Sequence, residues 1–114
     1  MENCIFCKII NKQIPSKVVY EDDYVLAFDD INPQAPVHVV VIPKKHVANV
    51  TELVAEDAVL VKAVMEACVK VAEIKGIKDS GYRLINNCGK DAGQTVLHAH
   101  FHVLGGTTFT EHIV

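Results

Sequence analysis

The chain has no tryptophan, no apolar run approaching the roughly 18 residues of a membrane span, and no dense lysine or arginine tract. Without an indole to act as anchor, attention moves to the six histidines. Lys44-Lys45 is only a pair and the net charge is −3, so an extended nucleic-acid surface is not indicated. A small phosphorylated ligand is still compatible, because it needs a few directed donors rather than a basic field. The polar opening Met1-Glu2-Asn3-Cys4 does not read as a signal peptide. The expected compartment is therefore the reducing cytoplasm, where cysteines seldom form lasting disulfides. Charged residues make up only 22% of the chain and apolar residues 50%, which argues against disorder. With 114 residues and neither repeats nor linkers, one domain spanning 1–114 is expected, large enough to bury a core.

Apolar spacing in Cys4–Ile10 suits a short helix that Pro15 terminates. Residues 17–20 and 24–28 read as a hairpin turning at Glu21-Asp22-Asp23. A loop dense in Asp, Asn and Pro follows over 29–36, and the β-branched run 37–42, stopped by Pro43, reads as a central buried strand. Thr51 can cap a short turn. Leu60, Val61, Val64, Met65, Cys68 and Ala72 then share one face of a long helix, with Glu56 and Asp57 in its first turn and Gly76 closing it. Strands over 82–86 and 98–104 flank a glycine-containing loop. The expected class is α+β: a five-stranded, mostly antiparallel sheet, with one long helix over one face and a short N-terminal helix.

The last strand carries the strongest signal. In His98-Ala99-His100-Phe101-His102, three imidazoles alternate with apolar residues, and Val103 continues the pattern. In a strand this places all three rings on one face, about 6.6 Å apart, while Ala99, Phe101 and Val103 pack inward. Such a row can supply a nucleophile, a general acid or base and an anion donor, or else metal ligands.

Three further features have competing readings. The loop Asn87–Thr95 has glycines for close backbone approach and the Thr95 hydroxyl, so it could hold a phosphate beside His100 and His102. It lacks the spacing of a P-loop and also reads as a plain hairpin connection. Cys4-x-x-Cys7 offers two ligands of a tetrahedral zinc, completed by His46 and one triplet histidine; inert thiols or a redox pair are the other readings. Asp30 could accept hydrogen bonds from two ribose hydroxyls, or simply order the Asn32-Pro33 turn. Cys68 and Cys88 read as structural.

Together these stretches resemble the histidine triad (HIT) superfamily, whose signature alternates three histidines with apolar residues as His98–Val103 does. Cys4-Ile5-Phe6-Cys7-Lys8-Ile9-Ile10, Ala27–Ile31, Pro33–His38, Ile42–His46, Gly93-Gln94-Thr95 and Leu104-Gly105-Gly106 are similar to its Hint branch, in the type that carries a C-x-x-C zinc site. The resemblance implies the HIT fold. It also implies hydrolysis or transfer of a purine nucleoside monophosphate from phosphoramidates or adenylates, releasing AMP or GMP through a nucleotidyl-histidine. His100 would be the nucleophile, and His102 would bond the phosphate oxygens and leaving group. Asn87, Gly93 and Thr95 would bind phosphate and Asp30 the ribose. Ile5, Phe6, Ile9, Phe28, Ile31 and Val40 would surround the base, and His38 and His98 would orient the site. Cys4, Cys7, His46 and His98 would hold a structural zinc, and two copies would form a homodimer. Two departures stand out: Thr95 occupies a position that is often Ser, and residues 107–114 lack the Trp-containing ending of animal relatives. Besides a hydrolase, the residues allow a nucleotide-binding regulator with little turnover, or a zinc-stabilised interaction module whose histidines are only ligands.

Overall fold

The computed structural model describes residues 3–114. Helix α1 (Ile5–Ile10) starts where the Cys4 sulfur accepts the Cys7 N–H at 3.3 Å. Strands β1 (Val18–Glu21) and β2 (Val25–Asp29) form the expected hairpin. Asp22 closes its turn by accepting from the Tyr24 and Val25 N–H groups and from the Tyr20 hydroxyl. Strand β3 (Val37–Pro43) precedes the one-turn helix α2 (Val50–Leu53) and the long helix α3 (Ala58–Ile74). Strands β4 (Tyr82–Ile85) and β5 (Phe101–Gly105) follow, with a 3₁₀ turn over Lys90–Ala92 between them. The sheet order is β1-β2-β3-β5-β4 and every ladder is antiparallel, which places β3 and β5 side by side at the centre. The expected α+β architecture is the one observed. No helix among the described residues is long and apolar enough to cross a membrane.

The pleat divides the sheet into two differently covered faces. Val25, Ala27, Val39, Val41, Ala99 and Val103 face α3, which buries Leu60, Val64, Ala67, Cys68, Val71 and Ala72 against them. On the opposite face Leu26, Phe28, Val40 and Ile42 pack with Ile9 and Phe6 of α1. The buried stripe of α3 thus runs through Ala67 and Val71 rather than Met65, which is on the exposed side. Asp57 caps this helix by accepting the Leu60 N–H at 3.0 Å, so it precedes the first turn instead of lying within it. Asn49, not Thr51, caps α2, because its side chain reaches the Glu52 N–H. At the C-terminus of α3, Gly76 takes φ +73°, and Ile77 N–H returns to Ala72 O at 3.0 Å. That is a Schellman closure, and it tucks Ile77 into the core beside Gly105.

The histidine strand differs from its sequence reading in one respect: the ladder begins at Phe101, not His98. Val41 pairs with Phe101, and the same register would bring Ala99 opposite Pro43, which has no N–H to offer. Ala99 N–H instead bonds Val47 O at 2.8 Å, bending the 98–100 segment away from β3.

Candidate functional site

The alternation places Ala99, Phe101 and Val103 against the α3 core, and the three imidazoles on the α1 face. That face is not open. His98 is fully buried and His100 nearly so, because Phe6 of α1 lies edge-on to both rings, at 5.9 and 5.1 Å between centroids. The His100 and His102 rings are 5.2 Å apart.

Each ring is pinned by a group of fixed polarity. His98 Nε2 lies 2.8 Å from the Pro43 carbonyl, which can only accept, so Nε2 carries the proton and Nδ1 keeps its lone pair. His100 Nδ1 donates to the His98 carbonyl at 2.8 Å, which leaves His100 Nε2 with a lone pair and no partner of fixed role. Asn86 Nδ2 holds the His100 carbonyl at 2.9 Å. His102 Nδ1 is 2.8 Å from His38 Nε2, with the Asp30 carboxylate 3.4 Å from that same His38 nitrogen. Burial, then the neighbouring His100 and His38, pushes His102 down to about 4, with Asp30 opposing. Burial lowers His38 as well, again against Asp30. His98 falls to about 4, chiefly through burial.

Of the residues expected around a base, Phe6, Ile9, Phe28 and Val40 form one apolar wall; Val40 pairs with His102 on one side and Phe28 on the other. Ile5 and Ile31 are apart from this wall in solvent, Ile31 at 92% exposure. Gly93 and Thr95 are exposed and Asn87 half-buried. The loop carrying them is braced by Gln94. Its Oε1 accepts from Gly89 N–H, while its Nε2 donates to the Ala48 and Val96 carbonyls at 2.7 and 2.9 Å. A cleft of about 650 Å³ opens beside Thr95, between Ile5 and Leu97, with Cys4 and His46 also on its wall; neither His100 nor His102 lines it.

Cys4, Cys7, His46 and His98 converge although they come from three separated segments. Cys4 Sγ and Cys7 Sγ lie 3.3 and 3.6 Å from His98 Nδ1; His46 Nδ1 is 3.3 Å from Cys7 Sγ and 3.1 Å from His98 Nδ1. Tetrahedral coordination by thiolates at about 2.3 Å and imidazoles at about 2.0 Å has edges of roughly 3.3–3.8 Å. The donor set therefore fits a four-coordinate metal ion, and the lone pair that Pro43 leaves on His98 Nδ1 is the one such a site requires. Burial and the adjoining Cys4 push the Cys7 thiol up to about 11, a cost that a bound cation would reverse. Asn86, Gln94, the Pro43 carbonyl and the Gln34 amide had no assigned role at the sequence level. Their only signal was position, at strand ends or in loops next to the histidines.

Known proteins resemble this chain over nearly its whole length. Residues 11–109 match the family model of the HIT domain. The purine nucleoside phosphoramidase of Escherichia coli K12 is 46% identical over 105 residues, 92% of this chain and 88% of that protein. A HIT family hydrolase structure from Clostridium thermocellum is similar at TM-score 0.95 and 53% identity, covering 100% of this chain and 99% of the other. A histidine triad protein from Clostridium difficile is similar at TM-score 0.92 and 46% identity, with 98% and 97% covered.

Proposed function

The chain belongs to the HIT domain family, and from that membership we propose that it is a purine nucleoside phosphoramidase, a nucleotidyl hydrolase that releases AMP or GMP from phosphoramidates or adenylates. One observation carries the reading: His100 Nδ1–H is committed to the His98 carbonyl, which leaves the Nε2 lone pair free beside His102. A neutral imidazole in that state attacks phosphorus well and leaves well. In the first step, the His100 Nε2 lone pair forms an N–P bond as the bond from phosphorus to the amine breaks; the amine nitrogen, protonated from solvent, leaves as the neutral amine, and His102 Nε2–H hydrogen-bonds the lone pair with which it departs. In the second, water attacks the nucleotidyl-histidine, the N–P bond breaks to return His100 as a neutral imidazole, and the proton that water loses passes to solvent.

Phe6, Ile9, Phe28 and Val40 supply the apolar surface against which a purine packs, and Ile5 and Ile31, in solvent apart from that wall, would meet the base only at its outer edge. The Asp30 carboxylate accepts from the ribose. Asn87, Gly93 and Thr95 hold the phosphate oxygens, with Gln94 keeping their loop in place. Cys4, Cys7, His46 and His98 would hold zinc, which supplies cross-linking and fixes the His98 ring. The reducing cytoplasm, where we place the protein, keeps those thiols available. The exposed Leu84 and Ile85 of edge strand β4, together with Val59, Val69 and Ile74 of α3, support a two-fold homodimer of single-domain subunits.

An adenosine phosphoramidate that releases a fluorescent amine tests the proposal. Wild type should turn over; His100→Ala should not, while keeping its fold and AMP affinity. Binding of AMP without turnover by wild type would overturn the hydrolase reading.

A further inference from the structure

Chemistry at His102 requires its proton on the nitrogen that faces substrate, and the structure contains a device that decides this from outside the triplet. Gln34 N–H points at His38 Nδ1 from 3.0 Å. An amide N–H cannot accept, so His38 Nδ1 accepts and the single proton of a neutral His38 sits on Nε2. That Nε2 is 2.8 Å from His102 Nδ1 and 3.4 Å from Asp30 Oδ2, so its proton goes to His102. His102 Nδ1 therefore accepts, and its own proton is on Nε2. Neighbouring His100 is fixed in the opposite sense by the His98 carbonyl. Two adjacent rings thus present one bare and one protonated Nε2.

The turn that aims the amide is itself constructed. Asp30 Oδ1 accepts Asn32 N–H at 2.8 Å, and Gln34 Nε2 donates to the Asn32 carbonyl at 3.1 Å. At the loop's far end Pro36 packs against Gly106, where an added Cβ would lie 3.1 Å from Pro36 Cβ. Asp30 accordingly does two things: one oxygen shapes the turn, and the other faces His38.

Resting on the nucleotidyl-transfer reading above, we propose that Gln34 is a positioning residue whose backbone amide locks the tautomers of His38 and His102, so that His102 offers an N–H hydrogen bond to the leaving group. Without the amide, His38 is free to carry its proton on Nδ1. His102 must then donate from Nδ1, and its Nε2 becomes a second lone pair beside that of His100. The leaving amine then has no donor.

The test is ¹⁵N imidazole NMR of the metal-loaded full chain at neutral pH, paired with kinetics. Wild-type His102 should be protonated at Nε2 and bare at Nδ1, and Gln34→Ala, which keeps the amide, should show the same tautomer. Gln34→Pro deletes the N–H. It should give a mixture of His102 tautomers and lose about a hundredfold in kcat on a phosphoramidate of a basic amine. KM should hold, and a substrate whose leaving group departs without needing a hydrogen-bond donor should be spared. If Gln34→Pro does not fold, His38→Leu carries the same expectation. An Nδ1-protonated His102 in wild type overturns the proposal. So does a Gln34→Pro protein whose His102 tautomer and leaving-group dependence are unchanged. Lack of turnover by wild type on every phosphoramidate would instead defeat the nucleotidyl-transfer reading, and with it the catalytic half of the proposal; the spectra would still decide the lock.

Discussion

Acidification should destabilise this fold through His102, by an amount that follows from its surroundings. Burial between Val40 and the neighbouring rings holds His102 at about 4, against roughly 6.5 for an unfolded chain. Between those values the unfolded chain binds more protons than the folded one, so stability falls as pH falls. The contribution is fully present above about 6.5 and lost as pH drops toward 4. At ~1.4 kcal/mol per pH unit the whole difference is about 3 kcal/mol, of which about 2 kcal/mol is gone by pH 5. For a chain of this size that corresponds to a Tm lower by about 8 °C. His38 adds to the loss in the same direction, since burial lowers it too. Urea unfolding of the metal-loaded protein from pH 7.5 to pH 5, beside His102→Gln, isolates the effect, because acid weakening of the metal site is common to both proteins. The variant should show the shallower slope. Parallel curves for the two would refute the electrostatic account of this ring.

Gly105→Ala should cost about 1–3 kcal/mol in urea titration without changing KM, because the added Cβ would sit 2.6 Å from Ile77 Cδ1 and 3.3 Å from its Cβ and Cγ2; an unchanged midpoint would contradict the close fit. Asn86→Ala removes the donor to the His100 carbonyl and should lose about 1 kcal/mol of stability, with kcat falling more than AMP affinity. Equal losses in both would make Asn86 merely structural. Chelation should lower Tm by more than about 10 °C and slow turnover, because the donor set ties α1 to the segment before β5 and the cleft at Cys4 and His46 gives a chelator access. Calorimetry before and after dialysis against a chelator measures it, and an unmoved Tm would mean that the four residues hold no metal.

Much of the fold was legible because its signals are local. The period-2 run from Ala99 to Val103 identified the core face of the last strand, and Gly76 marked the end of α3. The 3.6-residue pattern found α3 but rotated its stripe toward Met65, since small Ala67 is a weak apolar marker even where a sheet packs closely against it. The site was less legible. Which imidazole nitrogen is bare depends on Pro43 reaching His98 and Gln34 reaching His38, contacts set by strand register and turn shape rather than by residue type. The burial of His98 and His100 depends on Phe6, nearly a hundred positions upstream. The row of imidazoles was therefore visible as a pattern, but its enclosure was not.

The division of the central strands into a valine face and an imidazole face also affects how the chain finds its structure. Sliding β5 by one residue against β3 would exchange the two faces. His98, His100 and His102 would then press into the aliphatic layer beneath α3, while Ala99, Phe101 and Val103 turned toward α1. Three rings would be stripped of water with neither the Pro43 carbonyl nor His38 to meet them, at a cost on the order of several kcal/mol. Residues positioned for chemistry thus also act as a proofreading ruler during assembly, because a mispaired sheet is rejected by the same polar groups that make the correctly paired one useful.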